Sequence, residues 1–176
     1  MTRLLLGAII AAICGISLCP AQPNDSQTIT NWGAAVDNVQ LAINVTNKVI
    51  EAGAGTLVTA WTKNSSTNSI AIYTSWQSIY DFDVFLSDQQ GTEHHVKPGD
   101  PGRYGSGGFR SVRAGSTNRA AIALYNWDRT LKPGPYTLKV KATFWDTTNG
   151  DVDRNSKHDL VSNLLAIQIK SPPPAK

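Results

Sequence analysis

The most regular hydrophobic pattern in the chain runs through residues 136–144. Tyr136, Leu138, Val140, Ala142 and Phe144 alternate there with Thr137, Lys139, Lys141 and Thr143. A period of two, with one apolar and one polar face, predicts a half-buried antiparallel strand. Leu131-Lys132-Pro133-Gly134-Pro135 forms a turn leading into it. An earlier strand is predicted where Val39, Leu41, Ile43 and Val45 alternate with Gln40, Ala42, Asn44 and Thr46. Residues 56–62 read as a strand of ambiguous face, because Val58 and Ala60 compete with Leu57 and Trp61 for the inward side. Short strands fit 70–73, 82–86 and 93–97. Residues 119–127 place Ile122 and Leu124 inward, and a closing strand sets Leu165, Ile167 and Ile169 against Ala166, Gln168 and Lys170. Two stretches lack such a pattern. Residues 88–115 are rich in glycine and proline and read mostly as one irregular insertion, long against the usual loop of about 4–6 residues. Residues 146–159 read as a polar connection holding a tight turn at Asn149-Gly150.

No long amphipathic helix, internal repeat or second core emerges, so the chain is expected to be all-β with a single core. Tyr136, Leu138, Val140, Leu41, Ile43, Phe82, Val84, Ile122, Leu165 and Ile167 are its expected members. A composition 41% hydrophobic and 16% charged, with 14 glycines and 9 prolines, suits a domain of many turns. A tyrosine that follows a Pro/Gly corner and leads a strand is the arrangement known as a tyrosine corner in immunoglobulin-like sandwiches, where the hydroxyl ties back to the preceding turn. With the Lys63-Asn64-Ser65-Ser66-Thr67-Asn68 turn, and Ser162-Asn163 before the last strand, the chain resembles exported bacterial immunoglobulin-like domains, including the BsuPI-type proteinase-inhibitor group. The resemblance spans residues 38–170 in outline and implies a single immunoglobulin-like antiparallel sandwich of seven to nine strands. It implies architecture rather than activity, because these motifs recur in sandwiches of many functions. No inhibitory residue of that group maps onto this sequence.

The ends read differently. Met1-Thr2-Arg3 precedes an uncharged run at 4–18, shorter than the roughly 20 residues of a membrane span. Cys19-Pro20-Ala21 follows, so residues 1–21 are expected to be a signal peptide cleaved after Ala21. Leu18 stands where a lipoprotein signal needs a small residue before Cys19. Both cysteines, Cys14 and Cys19, fall in this leader, which leaves the exported chain without thiol chemistry or a disulfide. The domain plan is then a signal peptide at 1–21, a flexible lead-in at 22–37 with Trp32 as a pinning point, the sandwich at 38–171 and a Pro-rich tail at 172–176. The product is expected to be secreted or periplasmic, with no transmembrane segment.

Candidate chemistry changes the picture little. His94 and His95 are neighbours in an extended segment, so their side chains should point to opposite faces and not converge on one ion. Counted from Asp146 as a calcium loop, positions 3, 5 and 12 are Thr148, Gly150 and Lys157, which breaks the ligand pattern. Tyr104-Gly105-Ser106-Gly107-Gly108 lacks the first glycine of a nucleophile elbow, and Arg110 takes the last glycine's place in a dinucleotide loop. No catalytic residue, metal site or cofactor is therefore expected, and the chain reads as a non-enzyme.

Charge is the most informative feature. Residues 22–96 carry two lysines against seven acids, whereas residues 97–145 carry nine Lys/Arg against Asp100 and Asp128. Within the basic segment, Arg103, Tyr104, Phe109, Arg110 and Arg113 interleave charge with aromatic surface. These five are the expected partner-binding residues, set in a working loop at 97–113. The function expected is an exported interaction module that presents this loop to a protein or an anionic envelope polymer, with no nucleic acid as partner. The competing expectation is a secreted proteinase inhibitor that offers Arg103 or Arg110 from the loop at 102–113.

Overall fold

The computed structural model describes residues 29–52, 55–74, 82–96, 108–124 and 131–171. The expected signal peptide, the Pro-rich tail and residues 97–107 of the expected working loop lie outside them. Eleven strands occur among the described residues: β1 (Val39–Val45), β2 (Val49–Glu51), β3 (Thr56–Asn64), β4 (Ile70–Thr74), β5 (Phe82–Ser87), β6 (Glu93–Val96), β7 (Gly108–Val112), β8 (Thr117–Leu124), β9 (Gly134–Thr148), β10 (Asp151–Val161) and β11 (Leu165–Lys170). The expectation of seven to nine is corrected upward. β2 is very short, β7 lies in what reads as an irregular insertion, and β10 lies in what reads as a polar connection. β7 and β10 expose most of their side chains on both faces. Strands that bury so little carry no alternation to read.

Two sheets form, one of three strands in the order β1-β3-β8 and one of eight built around β9. β9 is 15 residues long and serves two partners in series along each flank. On one side β11 pairs with 134–138 and β10 with 141–148; on the other β5 pairs with 137–142 and β4 with 144–146. β2 extends the sheet beyond β11 in parallel, β7 lies beyond β4, and β6 beyond β5. The alternation in β9 explains its central place. Leu138, Val140 and Phe144 are fully buried on the inner face and meet Leu41, Val58, Ile122 and Leu124 of the smaller sheet in one core. Nearly every expected core residue lies in that cluster; Leu165 is half-buried at its margin. In β3 the ambiguity resolves with Val58 and Ala60 inward, Leu57 exposed and Trp61 outward.

Polar side chains tie neighbouring segments together at a few points within and between the sheets. The Tyr136 hydroxyl donates to the Lys132 carbonyl at 2.9 Å, the tie expected of a tyrosine corner. Asn64, fully buried, donates to the carbonyls of Asn68 and Val112 and accepts from the backbone and hydroxyl of Ser66, joining β3 to its following turn and to β7. The Ser162 hydroxyl accepts from the Val140 N–H at 2.9 Å, standing in for a strand partner where β10 gives way to β11. The lead-in docks through Gly33, whose N–H donates to Leu41 O at 2.9 Å. A Cβ at Gly33 would stand 2.0 Å from the Val161 carbonyl oxygen, so only glycine fits this approach. Asn149-Gly150 forms the β9–β10 turn with φ of 54° and 90°, the left-handed pair that a two-residue hairpin favours.

Candidate functional site

The exposed edge of the larger sheet at β7 carries three of the five residues expected to bind a partner. β7 pairs with β4 so that Phe109 lies opposite Tyr73 and Ser111 opposite Ala71, while Ala71 lies opposite Trp145 of β9 on its other side. Strand alternation therefore puts Phe109, Tyr73 and Trp145 on the solvent face together. The Phe109 ring meets Tyr73 edge-on at 5.3 Å and Trp145 edge-on at 5.2 Å. These are favoured aromatic geometries, in which a positive ring edge faces a negative ring face. Ala71 is buried although it sits on this outer face, and its small side chain leaves room for the rings beside it. Tyr73 and Phe109 each remain 39% exposed, which makes the cluster an apolar surface fixed on a rigid sheet.

The arginines are distributed differently from the interleaving suggested by sequence. Arg110 lies opposite Ile72, and so on the other face of β7 from Phe109. Arg113 follows the strand in the turn to β8, where its carbonyl accepts from the backbone and hydroxyl of Ser116. Both side chains are exposed, and neither is ion-paired with a carboxylate among the described residues. Arg103 and Tyr104 lie outside the described residues. The structure thus joins Phe109 to Tyr73 and Trp145, which sequence reasoning did not single out, and separates it from Arg110 across the strand. Part of the expected loop is the regular strand β7, held by its ladder with β4.

A second cluster on the same outer face surrounds Phe85. His95 stacks on this ring at 4.9 Å, and the ammonium groups of Lys139 and Lys141 lie 5.5 and 4.6 Å from its centre. Lys139 pairs with Glu93, and His95 with Asp83 at 3.2 Å. The hydrogen bond from Lys139 holds the Glu93 carboxyl below its usual range against the opposing effect of burial, and the charges of Lys139, Lys141 and His95 add to it. His94 points to the other face, as strand geometry requires, and lies 3.4 Å from Asp88. Burial raises the Asp88 carboxyl, but hydrogen bonds from the Thr92 backbone, His94 and the Gln90 backbone outweigh it and leave it below the ordinary value. Asp88 and His94 line a shallow cleft of about 360 Å³ against Lys132 and Tyr136. His158 stacks on Phe144 at 4.7 Å and reaches Asp37 with one nitrogen and Asp146 with the other, at 2.9 and 3.3 Å. The two carboxylates therefore lie on opposite sides of the imidazole and do not share an ion. Among the described residues no group of three or more His, Cys, Asp or Glu is placed to hold a metal.

No family model matches the chain, and no curated protein matches it. Among solved structures it is similar to Spo0M, a sporulation control protein from Bacillus subtilis, with a TM-score of 0.44 and 13% identity over 78% of this chain and 51% of that one. It is also similar to AvmM, described as catalysing macrocyclization in alchivemycin A biosynthesis, with a TM-score of 0.39 and 10% identity over 80% of this chain and 93% of the other. A structural-genomics target matches with a TM-score of 0.42 and 7% identity over 81% of this chain and 94% of that chain. Likenesses at this level carry no argument about function.

Proposed function

We propose that this chain is an exported, non-catalytic immunoglobulin-like β-sandwich that binds a protein or an anionic envelope polymer at its β7 edge. Phe109, Tyr73 and Trp145 supply the contact surface, and Arg110 and Arg113 supply charge, with Arg103 and Tyr104 adjoining them in sequence. One observation supports the reading: an exposed three-ring cluster stands at the β7 edge, with Arg110 on the other face of the strand and Arg113 in the turn after it, neither with a carboxylate partner among the described residues. Exposed apolar surface of this kind is costly unless it meets a partner. Unpaired arginines add steering and a salt-dependent attraction. The test is a pulldown from envelope extract with the wild-type chain and with the Arg103→Ala, Arg110→Ala, Arg113→Ala triple variant. The captured partner should be lost or its salt dependence flattened in the variant, with thermal stability unchanged. Equal capture by both proteins at low salt would remove the β7 edge from consideration, and saturable inhibition of a secreted trypsin-like protease would replace the reading altogether.

A further inference from the structure

The two outer faces of the molecule are charged in different ways. On the outer face of the larger sheet carboxylates stand among the cations, with Lys139 paired to Glu93 and Asp83 opposite Lys141 in the ladder. The three strands of the smaller sheet contain no aspartate or glutamate at all. Their ladder registers Ala42, Trp61 and Arg119 in one row, and Gln40, Lys63 and Thr117 in the next, all on the outer side of the sheet, where Ala42 is covered and the others reach solvent in part or fully. Arg119 lies 6.0 Å from the centre of the Trp61 ring, and Lys63 lies 5.8 Å from that of Trp32 in the docked lead-in. Neither cation is ion-paired among the described residues. As diagonal neighbours on adjacent strands, Lys63 and Arg119 have Cα atoms roughly 7–8 Å apart, so they present a pair of positive charges held over indoles.

Beside this pair, Trp61 walls a groove of about 300 Å³, which Asn31, Lys48 and Asn163 also line. That volume sits at the lower end of ligand clefts, roughly 300–1,000 Å³, and suits a single ring better than a folded surface. Its chemistry is an indole, side-chain amides (that of Asn163 already hydrogen-bonded to the Ile43 backbone), one ammonium group and an apolar wall of Ile29, Ile43 and Leu165. An indole packs against the C–H face of a ring, amides donate to and accept from hydroxyls, and Lys or Arg receives a carboxylate.

We infer that the outer face of the three-stranded sheet binds an acidic polysaccharide, with Lys63 and Arg119 receiving sugar carboxylates and the Trp61 groove receiving a ring. The inference rests on the reading of the chain as a binding module but places a contact on a different face. Charge density favours this occupant. Two cations and one groove lysine stand among uncharged Gln40, Asn44, Thr59 and Thr117, which matches a polymer rich in hydroxyls with spaced anions. A nucleic acid carries a charge on every phosphate and gains from successive aromatic platforms. Here the two cations are spaced along the sheet and the groove offers one indole. A second copy of the same face would set like charges together.

The experiment titrates the purified chain with polygalacturonate, and with dextran, oligo-dT and polyglutamate as comparisons. Polygalacturonate should bind, weakening as salt rises, and dextran should not. The Lys63→Gln, Arg119→Gln double variant should bind polygalacturonate at least tenfold more weakly, with an unchanged melting temperature because both side chains reach solvent. Trp61→Phe should weaken binding with less effect on salt dependence. A charge-matched control, Arg154→Gln with Lys157→Gln on β10 of the other sheet, should bind polygalacturonate as the wild type does. If the β7 triple variant loses it while the double variant keeps it, the inference falls and the β7 proposal stands. Tighter binding of oligo-dT or polyglutamate, equal binding of dextran, or no binding of polygalacturonate would each overturn the inference. The envelope pulldown judges the β7 proposal separately.

Discussion

Asn163 holds both backbone groups of Ile43, accepting from its N–H at 2.7 Å through Oδ1 and donating to its carbonyl at 3.3 Å through Nδ2. The amide thereby mimics a strand partner and joins the β10–β11 junction of the larger sheet to the edge of the smaller one. Both residues are buried. Asn163→Ala would leave a buried donor and a buried acceptor unpaired, at a cost of about 1–3 kcal/mol for each. Urea unfolding should show a lowered midpoint. Asn163→Asp should also fall short of wild type, because a carboxylate cannot donate to the Ile43 carbonyl. A midpoint unchanged in both variants would mean that the clamp contributes nothing.

The Tyr136 corner predicts a smaller effect. Tyr136→Phe keeps the ring in the core and removes only the hydrogen bond to Lys132. The loss should be about 0.5–1.5 kcal/mol, seen as a modest drop in the urea midpoint. Tyr136→Ala should cost several times more, because it also empties part of the core.

Acid stability should depend on Glu93. Its carboxyl is lowered in the folded protein by the hydrogen bond from Lys139, against the effect of burial. A group lowered in this way binds protons less readily folded than unfolded. Its contribution is therefore present above the unfolded glutamate range and is lost as pH falls through the lower folded value. Glu93→Gln removes this titration. The gap between urea midpoints at about pH 7 and about pH 3 should shrink in the variant, while Asp88 retains its own contribution. An identical gap in wild type and variant would show that the Lys139 pair is solvent-screened to nothing.

The sequence by itself determined whatever depends on near neighbours. Alternation in 136–144 marked the central strand and its inward face, because period two is a property of a single extended segment. The Pro-Gly-Pro corner placed the Tyr136 hydroxyl near Lys132, four residues back. Asn149-Gly150 announced a turn through backbone preference alone, and extended geometry sent His94 and His95 to opposite faces. Tertiary structure decided what depends on pairing between distant segments. β10 and β7 bury too little to alternate, and they exist as strands because β9 and β4 offer them ladders. Phe109 reads as a neighbour of Arg110, yet register across three strands carries it to Tyr73 and Trp145, while alternation within β7 turns Arg110 away. Asn163 and Ile43 are separated by 120 residues, and no local preference relates them. The charge contrast between the two outer faces has the same origin. A carboxylate's effect on a lysine depends on distance in space, and only the sheet register places Glu93 beside Lys139 while leaving Lys63 and Arg119 among uncharged neighbours.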